Sequence, residues 1–103
     1  MASRHEIEMD FRAAMNQADK IDGIANRLKN LSNNDYRNTI QNISNAWKGD
    51  NADVYVKKSS TLIDKMNGTA SKLADAADTI RRIAKNIYDA EMAAWEIAHR
   101  REY

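Results

Sequence analysis

From Tyr55 to Ala94 the chain repeats one pattern without a gap. Tyr55, Ser59, Leu62, Met66, Thr69, Leu73, Ala76, Ile80, Ile83, Ile87, Ala90 and Ala94 follow one another at spacings of alternately four and three residues. That alternation lays side chains along one seam of an α-helix. Ile63, Ala70, Ala77 and Ala84 lie beside the seam and widen it into the stripe a bundle helix needs. No proline occurs in the chain to interrupt it. The pattern therefore predicts one long helix over about 52–100. Gly68 sits inside this helix at a cost of about 1 kcal/mol against alanine; close approach of another helix is the expected reason, and a kink the second.

The first half carries a similar seam through Ile7, Phe11, Ala14, Ala18, Ile21, Ala25 and Leu28, which resumes at Tyr36, Ile40, Ile43 and Trp47. Ala25 to Tyr36 reads as a heptad plus four residues, the spacing of a stutter. Between them Asn30-Leu31-Ser32-Asn33-Asn34-Asp35 is poor helix material, because Asn, Ser and Asp compete for backbone hydrogen bonds. A kink or a break would fit; a continuous but locally weak helix over about 4–45 is favoured.

The reversal signal falls between the two seams, at Trp47-Lys48-Gly49-Asp50-Asn51-Ala52-Asp53. Asp50 is a candidate N-cap, with Asp53 in the capping-box position and suited to the positive helix end. The expected architecture is all-α: a single domain over 1–103, an antiparallel two-helix hairpin turning at 46–51. Two such helices cannot hide the whole widened stripe from water. A second hairpin is the natural cover, so a four-helix-bundle dimer is expected. The expected core and dimer seam comprises Ile7, Phe11, Ile21, Leu28, Ile40, Ile43, Leu62, Met66, Leu73, Ile80, Ile83 and Ile87.

Composition narrows the function classes. There is no cysteine, so disulfides and thiolate zinc sites are excluded. Sixteen basic and fifteen acidic side chains leave a net charge of +1, and the pairs Lys57-Lys58, Arg81-Arg82 and Arg100-Arg101 lie near acids. No nucleic-acid partner is expected from that balance. No apolar run approaches the roughly 18 residues of a membrane span, so membrane insertion is not expected. The first residues lead into no apolar stretch of the signal-peptide kind.

Chemistry is sparse. Glu96 and His99 have the Glu-x-x-His spacing of di-iron bundles, but His5 is the only other histidine and Glu6 beside it is wrongly spaced. Two histidines near the termini offer no pocket for a nucleophile and its base. No catalytic, cofactor-binding or metal-ligating residue is expected. Asp53 with Lys57 and Asp78 with Arg82 read as i,i+4 pairs on the outer side. Trp95 reads as packing on the bundle end, with presentation to a partner as the second reading.

A cysteine-free chain of about a hundred residues with Trp-x-Gly between two helical seams resembles the WXG family of type VII secretion substrates. Trp47 and Gly49 fill the motif, followed by Asp50-Asn51-Ala52 and the aromatic Tyr55. The resemblance covers almost the whole chain. It implies a helical hairpin that pairs with a copy of itself or a related hairpin, secreted without a cleaved signal peptide through a membrane ATPase. Some members escort a larger toxin with a helical N-terminal domain. The family's Tyr-x-x-x-Asp/Glu signal is only approximated here: Tyr88 is followed by Glu91 at the third position and Met92 at the fourth. The alternative from another class is a cytoplasmic helical adaptor or coiled-coil subunit that is not exported.

Overall fold

The computed structural model describes residues 3–46 and 49–100, with the backbone alone at residues 50–52. Trp47, the centre of the expected turn, lies outside the described residues. The chain is all-α: α1 spans Arg4–Asn30, a π-helical turn spans Leu31–Tyr36, α2 spans Arg37–Ala46 and α3 spans Asp50–Arg100. No strand occurs among the described residues. Ser3 starts α1 as its N-cap: its hydroxyl accepts from the Glu6 N–H at 3.1 Å and its carbonyl from the Ile7 N–H at 3.0 Å. At α3 the Gly49 carbonyl accepts the first helical bond, from the Asp53 N–H at 3.2 Å. The cap position is thus Gly49 and not Asp50, and Gly49 has a φ of +129°. That angle suits a residue without a Cβ.

The elements fall into two compact units. The terminal unit combines Met1–Ile21 with Asp75–Tyr103, and the turn-side unit is Asp22–Ala74. Each is an antiparallel helix pair. In the terminal unit Arg4 meets Trp95, Phe11 meets Tyr88 and Asp19 meets Arg81. In the turn-side unit Ala25 lies with Ala70 and Ser32 with Asn67. Cores are thin and made largely of alanine. Ile7, Ala18, Ala77 and Ala84 are buried in the terminal unit; Ala25, Ile40, Ile63 and Ala70 are buried in the turn-side unit. Small side chains at these positions let helix axes approach to the short end of the usual 8–10 Å.

The weak segment of the first helix is neither a break nor a stutter. Continuing the four-three alternation past Leu28 lands on Ser32, which is 0% exposed. From Ser32 a regular helix would next turn Asp35, Thr39 and Asn42 inward. The buried and half-buried positions are instead Ile40 and Ile43, one residue later. The π turn takes up that one residue, since it closes rings of i→i+5 where an α-helix closes i→i+4.

On α3 the inner row is Ile63, Ala70, Ala77 and Ala84, the residues expected to flank the seam. Of the expected seam, Met66, Leu73 and Ile80 are half-buried, while Leu62, Ile83 and Ile87 are exposed by 51, 50 and 53%. The helix is therefore rotated by about one residue from the expected facing. Gly68 is exposed, and a Cβ added there meets nothing within 4 Å. Close approach of another part of this chain is thus not what places a glycine at 68, and α3 runs through it as α-helix.

Candidate interaction surface

The outward-facing apolar side chains are the feature that the fold leaves unexplained. Written as heptads from Ile63 in the first position, α3 turns its first and fifth positions toward its own unit's other helix. Its fourth position is shared, and its seventh holds Tyr55, Leu62, Thr69, Ala76, Ile83, Ala90 and Ile97. All seven of these are exposed. In the terminal unit Ile83 and Ile97 stand on this outer line, and Ile87, in the shared fourth position one turn from Ile83, is exposed beside it; in the turn-side unit Tyr55 and Leu62 stand on the line. Single exposed apolar residues are ordinary, but rows of them beside a packed core mark a surface for association.

The expected seam on the first helix is more fully used inside the units. Ile7 and Ile40 are buried, while Phe11, Ile21, Leu28 and Ile43 are half-buried. Met9, Ile24, Leu31 and Tyr36 are exposed. Charge differs between the units: the terminal unit has eight basic and ten acidic residues, the turn-side unit eight basic and five acidic.

Tyr88 and Glu91 come together on one face of α3, three residues apart. The Tyr88 ring packs on Phe11 with centroids 4.8 Å apart at 42°, and both Tyr88 and Glu91 are half-buried. They line, with Ile7, Asp10, Phe11, Ala14, Ala84 and Ile87, a largely apolar cavity of about 130 Å³. The ring of Tyr88 thus belongs to the packing of the terminal unit.

Trp95 is half-buried near the end of α3, with the His99 ring stacked on it at 3.9 Å and the Arg4 guanidinium 5.7 Å from its centroid. His99 Nδ1 is 2.8 Å from the Trp95 carbonyl oxygen, and Glu96 pairs with Arg100 at 3.9 Å. Glu96 and His99 are therefore directed to neighbours on their own helix. Among the described residues no group of three His, Cys, Asp or Glu is placed to hold a metal ion. Asp78 pairs with Arg81 at 3.0 Å and not with Arg82, because Arg81 also reaches Asp19 at 2.8 Å across the pair. Asp53 and Lys57 form no ion pair.

One polar group had no sequence-based expectation. Asn67 lies opposite the π turn, its Oδ1 accepting from the Ser32 hydroxyl at 2.7 Å and its Nδ2 donating to Asn33 Oδ1 at 2.9 Å. The Lys29 carbonyl is a second acceptor within reach of Ser32 Oγ, at 3.0 Å. No buried side-chain nitrogen or oxygen among the described residues lacks a partner. The available signal was the heptad itself, whose next step after Leu28 falls on Ser32.

These features define an all-α chain with exposed apolar side chains on α3 in each of its two units. Comparison with known families, characterised proteins and solved structures finds no match to this chain.

Proposed function

We propose that this chain is a non-enzymatic substrate or escort of a type VII secretion system of the WXG kind, acting as a helical-hairpin dimer. The observation that carries the reading is the exposed apolar line of α3, with Leu62, Ile83 and Ile87 each about half exposed beside a buried alanine row. A second copy or a related hairpin laid on this line completes a four-helix bundle. The family resemblance at Trp47 and Gly49 supports the secretion class. So does the positive φ of Gly49 at the start of α3, which gives the glycine of the tripeptide a conformational reason. In this reading the dimer travels through a membrane ATPase, and Tyr88 with Glu91 serves as a shortened export signal.

The test separates packing from recognition. Trp47→Ala is measured for dimerisation by sedimentation and for export by the fraction recovered in the medium, with and without the ATPase. Loss of export by a dimer that remains intact supports a recognition role for Trp47. Export that is unchanged by Trp47→Ala sinks that role, and export independent of the ATPase sinks the secretion class. A second variant, Tyr88→Phe, keeps the ring on Phe11 and removes only the hydroxyl. Its expected outcome is wild-type thermal stability with reduced export; export at the wild-type level leaves Tyr88 as a packing residue only.

A further inference from the structure

We infer that the π turn Leu31–Tyr36 is a one-residue insertion in an otherwise regular heptad seam, held at its place by Asn67 acting as a positioning residue. The inference is independent of any role in secretion. Upstream, the inward positions Ala18, Ala25 and Ser32 are seven residues apart, as a regular seam requires, and all three are buried. Downstream, Ile40 is eight residues past Ser32 and is buried again. One residue is therefore in excess, and the helix absorbs it inside six residues without breaking.

Sequence pins the excess residue from both sides. Were the π turn one turn earlier, the downstream phase would extend back and point Lys29 inward. Were it one turn later, the upstream phase would carry Asp35 and Thr39 inward in place of Ile40. Lys29, Asp35 and Thr39 are all exposed where the turn now stands. Burying an unpaired charge is the costliest of these alternatives, so the turn has one place to be. Asn67 then engages it through both amide arms, one on Ser32 and one on its neighbour Asn33. A single polar residue facing an apolar seam sets alignment in the same way in coiled coils.

Two deletions test the insertion. Removing Asn34 takes out the excess residue and leaves both seams in phase as a plain α-helix. The expected result is a helical, cooperatively folded chain with a melting temperature within about 5 °C of wild type or above it, a span that corresponds to a change near 1 kcal/mol. Removing Gln17, an exposed residue of α1, rotates every later seam residue by about 100° and is expected to abolish cooperative melting. If loss of Asn34 is as damaging as loss of Gln17, the inference is overturned. The positioning role is read by amide hydrogen exchange in the full chain. Asn67→Ala is expected to raise exchange at residues 32–37 tenfold or more and leave residues 10–18 unchanged. Asn67→Asp, which can still accept from Ser32 while the Asn33 amide turns to donate, is expected to recover most of that protection. A uniform rise along the helix in Asn67→Ala, or no recovery with Asp, overturns the role of Asn67.

Discussion

Two glycines in this chain predict opposite outcomes for the same substitution. Gly49 has a φ of +129°, a conformation in which a Cβ is strained whatever space surrounds it. Gly49→Ala is expected to lower stability by about 1–3 kcal/mol, as strain in that region does. Gly68 sits in the interior of α3, exposed, with open space where a Cβ would go. Gly68→Ala is expected to raise stability by about 1 kcal/mol through helix propensity alone. Urea titration of both variants checks the pair, and the signs must differ. At this scale the polar stretch after Gly49 was informative, since α3 begins at Asp50, while Trp47 and Lys48 lie outside the described residues. Which residue takes the cap was not legible. Asp50 is the better cap by side chain, yet α3 takes its first backbone bond at Gly49, where glycine permits the positive φ but does not by itself announce a cap.

At the scale of elements, both long helices were legible from the four-three alternation, but the facing of α3 was not. Hydrophobicity ranks Leu62, Ile83 and Ile87 above Ala70, Ala77 and Ala84, so the bulky row reads as the core. Packing prefers the reverse, because two long helices approach most closely along a line of small side chains. The alanine row therefore goes inside and the bulky row stays out. Adjacent alanines test this facing directly. Ala77 is 0% exposed, and Ala77→Leu is expected to cost about 1–3 kcal/mol by overpacking. Ala76, one residue earlier, is exposed, and Ala76→Leu is expected to change monomer stability by less than about 0.5 kcal/mol. Thermal melts of dilute samples of both variants decide it; equal losses would mean that α3 faces otherwise. The π turn was illegible for a related reason. Ser32 is polar, so a search for apolar periodicity skipped the one residue that shows where the phase slips.

For the molecule as a whole, the proposed dimer rests on a difference between two rows of the same helix, and that difference makes it measurable. Leu62, Ile83 and Ile87 keep about half of their surface exposed in the single chain. Covering the rest would contribute about 1 kcal/mol for each side chain, half of what full burial is worth. In a two-fold dimer every residue counts twice, so the three positions together contribute about 6 kcal/mol, or ~10⁴ in the dissociation constant. Replacing all three by Gln should therefore leave the helical content of the chain in place and reduce its sedimenting mass toward the 11.7 kDa monomer. Ile63, only 2% exposed and one residue from Leu62, supplies the contrast. Ile63→Ala opens a cavity inside the helix pair itself and should cost about 2–5 kcal/mol of folding stability before association is considered. A mass that stays at twice the monomer after the triple replacement would remove the outer row from the interface. A triple variant that loses its helices at low concentration would mean that the row supports the fold of the single chain. Only a folded monomer fits an α3 whose inner row makes the hairpin and whose outer row makes the pair.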